Sequence, residues 1–378
     1  MEIVLNKDRA MKAVNVAKNS AASASGLKIL QGVFLSAGFG HVRLTTTDLE
    51  LWCQVEIDAE APQPGAVLVP AGVLGKALKS VPHSRVTLRR EGDDVRLSGG
   101  SSEIRVKGID AEEYPESNPP QDGRLLKVPL PAALVNKVVY AVSKDETRYT
   151  LGGVYMQVGP AGLKLVATDG HRLARYTAAS LPPGSVVDAD LEEPLSVILP
   201  PRLLLEGVRL GSQLGNTATL EVYEKAACIR VNDSVMLWAD LIQGEYPDYE
   251  AAMPGDFTGC LTVSRSMLSS AVSRLLALSK GRRWPAACLI VDEWDLMLKM
   301  EEDAAEGISA TERLKPSAID GIVPVCGLNI GYLSEALERI PESGQVRLQF
   351  SDELGERPVA IESSARAGLL AVLMPVKV

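Results

Sequence analysis

Apolar residues recur along this chain at two spacings, a helical spacing of three or four and a strand-like alternation, and the order in which they follow one another is run through three times. At about 100° per residue, Ala10, Met11, Val14 and Ala17 fall on one stripe, and Asp8, Arg9, Lys12, Asn15 and Asn19 fall on the other. An amphipathic helix is therefore predicted over Asn6 to Ser20, with equivalents at Pro131 to Ser143 and Ser264 to Ser279, offset by roughly 125 to 133 residues. A second helix is predicted later in each copy, where a strand end and a proline precede an apolar-periodic segment. These starts are Val69-Pro70-Ala71, Leu199-Pro200-Pro201, and Val323-Pro324-Val325 leading to Asn329 to Arg339.

Alternating runs lie between those helices, as in Gly32 to Leu35 with Val42 to Glu56, and Gly153 to Met156 with Leu163 to Tyr176. The tips of these runs match, since Thr47-Asp48 and Thr168-Asp169 sit 121 residues apart. Each copy closes near a proline, at Tyr114-Pro115, Tyr246-Pro247 and Met374-Pro375, spaced by 132 and 128 residues. Turn-rich stretches at Pro115 to Gly123 and Pro254 to Asp256 separate the copies. The expected architecture is α+β, three tandem copies of a two-helix plus antiparallel-sheet unit at 1–122, 123–254 and 255–378.

Composition leaves that picture in place. A chain of 378 residues, 46% apolar and 23% charged, has the makeup of an ordinary globular protein with two or three cores. Five widely spaced cysteines with no Cys-x-x-Cys pair suggest neither a disulfide framework nor a zinc cage, which fits a reducing cytoplasm. The charged start and the shortness of the longest apolar run, Ala367 to Val376, argue against a signal peptide or a membrane span.

Charge changes the picture. The predicted helices, counting Lys280 just past the one that ends at Ser279, carry thirteen basic residues against four acids, a net of +9, which leaves −18 for the rest of a chain whose total is −9. Arg9, Lys12, Lys76, Lys79, Lys137, Arg202, Arg209, Arg274 and Lys280 are candidates for tracking a phosphate backbone without reading sequence. Two loops after first helices add Arg148-Tyr149 and Arg282-Arg283-Trp284, in which arginine stands beside an aromatic. A solvated helix face or turn is the alternative reading for any one of them.

One stretch is specific. Ala167-Thr168-Asp169-Gly170-His171-Arg172-Leu173-Ala174, together with Tyr246-Pro247-Asp248-Tyr249 and the ending Met374-Pro375-Val376-Lys377-Val378, resembles the bacterial DNA polymerase III beta subunit, or beta sliding clamp, family. The resemblance implies the DNA clamp fold, closing as a head-to-tail dimeric ring with helices lining a hole that encircles duplex DNA. Ring geometry agrees with two chains: six helices at about 10 Å spacing span only about 19 Å between axes, whereas twelve span about 38 Å and leave about 28 Å open.

By the same resemblance, short peptides of the replicative polymerase and clamp-loader subunits enter a pocket. The matching positions are Leu151, Thr168, Gly170, His171, Arg172, Leu173, Pro247, Val372, Leu373, Met374, Pro375 and Val376, with Asn329 and Tyr332 at the rim. Ile104 and Val106 on one side and Ala277 and Leu278 on the other are candidates for the dimer contact. Two departures stand out: Glu250-Ala251-Ala252 replaces the basic and aliphatic residues many relatives carry, and Ala22 to Lys28 lacks the usual arginine near the first turn.

An enzyme is the competing reading, with Asp169 and His171 as an acid and base. It lacks supporting parts. There is no Gly-x-Ser-x-Gly elbow, and the segment Gly72 to Ala77 is too short between its glycines and lacks the closing Ser or Thr of a phosphate loop. No cofactor is implied.

Overall fold

The computed structural model describes residues 1–378 except 23–26, 39, 189–192, 280–283, 302–306, 342–343, 353, 365–367 and 378. Its helices are α1 (Lys7–Ala17), α2 (Ala71–Ser80), α3 (Ala132–Val135), α4 (Pro201–Leu214), α5 (Arg265–Leu278) and α6 (Ile330–Leu337). Asn6 starts α1 by accepting the Arg9 N–H, which satisfies one of the donors that a helix start leaves open. The buried stripe of α1 is Ala10, Ala13, Val14, Val16 and Ala17. Met11 is only half-buried, in a crevice that it lines with Lys18, Lys76 and Lys79.

The helix expected over Pro131 to Ser143 is broken. Only α3 and a 3-10 turn at Val139–Ala141 form, with Val138 at φ −123° between them. Val135, Val138, Val139 and Val142 explain this, because β-branched side chains lose rotamer freedom against the preceding helical turn. The structure spends this segment on irregular backbone instead.

Two compact units result. The first comprises Met1–Ala132, Pro182–Asp190 and Arg202–Leu241, and the second comprises Ala133–Leu181, Leu191–Pro201 and Ile242–Val378. Each unit holds one nine-stranded sheet and one smaller sheet, of five strands in the first and four in the second. The second sequence copy is thus divided, its strands Ala218–Val222, Ala226–Asn232 and Val235–Asp240 joining the first unit and Val154–Gly159, Gly162–Thr168 and Arg172–Ala178 the second.

The joins are antiparallel ladders. In the first unit Trp52 lies opposite Trp238, and in the second Arg172 lies opposite Leu373. Helices α5 and α6 bury Leu268, Val272 and Leu275 with Ile330, Leu333 and Leu337 in the second unit's core, around Phe350. Strands Ser102–Val106 and Ala310–Leu314 are sheet edges. Among the described residues no helix is long and apolar enough to cross a membrane.

Three thiols are sealed in these cores. Loss of solvation pushes Cys53, Cys228 and Cys326 up to about 12, whereas Cys260 and Cys288 are half-buried. At pH 8 a thiol-specific disulfide reagent is expected to modify Cys260 and Cys288 in the native protein and to reach the other three only on unfolding. Rapid native modification of more than two thiols would contradict the packing.

Candidate functional site

In the second unit, strands Gly162–Thr168 and Arg172–Ala178 form a hairpin whose tip is tied by side chains. Thr168 Oγ1 donates to the Arg172 carbonyl at 2.6 Å and accepts from the Gly170 N–H at 3.1 Å. Asp169 Oδ1 accepts from the N–H groups of His171 and Arg172 at 2.9 and 3.0 Å. Gly170 sits at φ 87°, in the left-handed region, and a Cβ there would stand 2.8 Å from Arg148 Nη1.

Arg172 fastens this tip to the body. Its side chain is 9% exposed and donates to Asp169 Oδ2 at 3.1 Å, Glu335 Oε2 at 2.5 Å and the Tyr140 carbonyl at 2.6 Å. The guanidinium lies 4.3 Å from the Tyr332 ring centroid and 5.5 Å from that of Tyr140, a stacking geometry arginine favours. Its charge is therefore both paired and hydrogen-bonded, the condition under which a buried ion is tolerated.

Beside the tip, strand Leu369–Leu373 adds its ladder to Arg172–Ala178, and the Met374 N–H donates to the His171 carbonyl at 2.9 Å. Opposite stands Pro247-Asp248-Tyr249, where Asp248 Oδ1 accepts from the N–H groups of Glu250 and Ala251. Tyr249 is buried against Tyr155 and Tyr246, which stack at 5.1 Å. Together these elements enclose an apolar groove of about 170 Å³.

Leu151, Thr168, Gly170, Arg172, Leu173, Pro247, Val372 and Met374 line the groove, so eight expected positions converge there. Met374 is 40% exposed, a mobile thioether at the mouth. Others lie elsewhere. Leu373 points into the core on the opposite face of its strand, as period-two geometry requires. His171 is exposed and meets Trp284 edge-on at 5.9 Å. Pro375 and Val376 are half-buried, and Val376 donates its N–H to the Gly327 carbonyl. The Asn329 side chain caps α6 by accepting from Gly331 and Tyr332 N–H groups, while Tyr332 serves as the platform under Arg172.

Asp248, Tyr249 and Ala252 also line the groove. Sequence reasoning quoted their segments but selected only Pro247; the Asp-x-x spacing of an Asx turn at Asp248 was the available signal.

The basic candidates divide by pairing. Arg9 pairs with Asp58, Arg148 with Asp145, Arg202 with Asp48, Arg209 with Glu206, and Arg274 twice with Glu312 at 2.8 and 2.6 Å. Lys137 sits 3.5 Å over the Tyr176 ring, and Tyr149 is 61% exposed. Lys12, Lys76 and Lys79 are exposed on α1 and α2 and make no ion pair among the described residues. Lys280, Arg282 and Arg283 lie outside the described residues. Of the dimer candidates, Ile104 is half-buried on an edge strand, Ala277 and Leu278 are exposed at the end of α5, and the Val106 side chain is buried in the chain's own core.

The turn at the tip has a twin in the first unit. Leu49 N–H donates to Thr47 Oγ1, and the N–H groups of Glu50 and Leu51 donate to Asp48 Oδ1. There Leu49 occupies the left-handed position, at φ 82°.

Comparison with known proteins gives consistent matches. The DNA polymerase III beta subunit, N-terminal domain, matches residues 1–118, and the central domain of the same subunit matches 126–248. A beta sliding clamp from Synechococcus elongatus is 27% identical over 391 residues, covering 100% of this chain and 99% of that protein. A sliding clamp from Bartonella birtlesii bound to griselimycin superposes with a TM-score of 0.88 at 26% identity, covering 100% of both chains. The Bacillus subtilis sliding clamp gives 0.88 at 22% identity, covering 100% of this chain and 99% of that one.

Replacing Arg172 by Met should strand Asp169 and loosen the tip, at a cost of about 2–3 kcal/mol, less than for a fully buried pair because Glu335 is partly exposed. Urea denaturation measures the loss, and a change under about 0.5 kcal/mol, the size of an ordinary surface substitution, would remove Arg172 as the anchor.

Proposed function

Because the chain belongs to the DNA polymerase III beta subunit family, the bacterial sliding clamps, we propose that it works as a homodimeric ring that encircles duplex DNA and tethers polymerase and clamp-loader subunits by their short peptides. Processivity is the activity of the family, and this chain supplies it as a tether rather than as a catalyst. Its domains in this reading are 1–122, 123–254 and 255–378, and its place is the bacterial cytoplasm.

The observation that carries the tethering is the groove, where eight residues from four separate stretches of chain meet around an apolar cup with one buried guanidinium fixing its rim. Such a cup with a few oriented polar groups suits a peptide with aliphatic anchors. The ring is supported by two sheet edges, Ser102–Val106 and Ala310–Leu314, since an exposed edge is a template for pairing with another chain. Ile104 is the side chain on that edge best placed to join a partner. Griselimycin bound to the Bartonella clamp is the precedent for a ligand on this fold.

Retention on DNA tests encirclement. After loading by an ATP-driven opener, the protein is expected to leave linear duplex roughly tenfold or more faster than closed circles at high salt, since a topological link does not depend on phosphate attraction. Equal loss from both would reject the ring.

Binding of a labelled C-terminal peptide of the replicative polymerase tests the groove. Met374→Ala and Leu173→Ala should each weaken it about fivefold or more, equivalent to roughly 1 kcal/mol of lost apolar contact. Lys12→Ala should leave peptide affinity unchanged. Undiminished binding by both groove variants, with the dimer intact by light scattering, would reject the assignment.

A further inference from the structure

On the same sheet face as the groove lies a second depression of about 630 Å³, lined by Lys164, Arg175, Thr177, Arg347, Glu362 and Leu370. Their adjacency follows from the ladders. Leu173 lies opposite Val372, and two residues further on Arg175 lies opposite Leu370, with Glu362 and Arg347 next in line. Two strand residues advance about 7 Å, so the basic stretch begins within one side chain's reach of the apolar cup. Tyr249 bridges them, lining the groove on one side while Lys164 Nζ stands 5.8 Å from its ring centroid on the other.

The cations of this depression are not equivalent. Lys164 pairs with Glu250 at 2.9 Å, and Arg347 stands opposite Glu362 across the ladder. Arg175 makes no ion pair or hydrogen bond among the described residues, and its Nε is buried without a partner. Glu250 lies near enough to feel the Arg175 charge, yet the buried Nε itself has no acceptor, and a desolvated donor left unsatisfied is costly. The neighbouring Lys164–Glu250 contact shows that a carboxylate already rests at this rim.

Resting on the peptide-groove reading above, we propose that Arg175 is the receptor for a carboxylate in the partner peptide, in an acidic segment flanking its apolar anchor. The cup supplies the apolar contact and Arg175 supplies the preference among partners. Charge-assisted bonds from a guanidinium to a carboxylate discriminate strongly against a neutral amide of the same shape.

The test uses the full-length protein and labelled polymerase-tail peptides extended on either side by three glutamates or by three glutamines. One glutamate extension is expected to bind about fivefold tighter than its glutamine counterpart at 50 mM salt, with the advantage shrinking at 300 mM as screening shortens. Arg175→Gln should erase that advantage and leave the glutamine peptides unchanged, while Leu173→Ala should weaken all of them alike. Equal binding of glutamate and glutamine peptides by the unmodified protein, or an advantage that survives Arg175→Gln, would overturn the proposal and leave the groove standing. Failure of every peptide to bind would remove the groove reading and this proposal with it.

Discussion

The Arg172 guanidinium is the contact on which the groove depends. It reaches Asp169 on its own hairpin, Glu335 on α6 and the Tyr140 carbonyl on the broken segment after α3, drawing three stretches of chain to one point. Lysine could not substitute, since a single ammonium cannot donate in a flat fork while stacking on the Tyr332 ring. The break in the segment after α3 matters here, for it is irregular backbone near Tyr140 that turns a carbonyl toward the guanidinium instead of into a helix.

Much of this was legible in the residues. The threefold recurrence of helix-then-strand spacing predicted an α+β chain, and the Thr-Asp pairs 121 residues apart marked two hairpin tips that share one hydrogen-bond pattern. What local spacing could not reveal was long-range. Nothing near Leu373 says that it faces the core while Val372 lines the groove, because that parity is set by register against Arg172–Ala178. The helix expected over Pro131 to Ser143 failed for a readable reason, its valines, which the apolar periodicity had outweighed. Asn329 and Tyr332 were drawn to the site by resemblance, and the structure uses them as a helix cap and an aromatic platform.

The twin turns also show how two similar hairpins diverge. Gly170 adopts the left-handed conformation without a Cβ penalty, whereas Leu49 bears that penalty, of order 1 kcal/mol, and exposes its side chain. At the ladder positions matching Leu173 and Val372, the first unit has Trp52 and Trp238, stacked at 5.5 Å with their planes 11° apart. Indoles stand where the second unit has the aliphatic residues that line its groove. The two tips therefore share a backbone plan and differ in side-chain volume, with stacked indoles in the first unit and aliphatic residues lining a groove in the second.

The pairing of the basic residues bears on motion. Arg9, Arg202, Arg209 and Arg274 have their forks engaged by carboxylates of the same chain, which leaves Lys12, Lys76 and Lys79 as the exposed cations of α1 and α2 without an ion pair among the described residues. An ammonium is a compact, strongly hydrated charge that grips no particular phosphate geometry. Under the proposed encirclement of a duplex, this would make the energy profile along its axis shallow, each step trading one water-cushioned contact for another. On the proposed reading these internal salt bridges would serve as lubrication, holding back side chains that would otherwise catch.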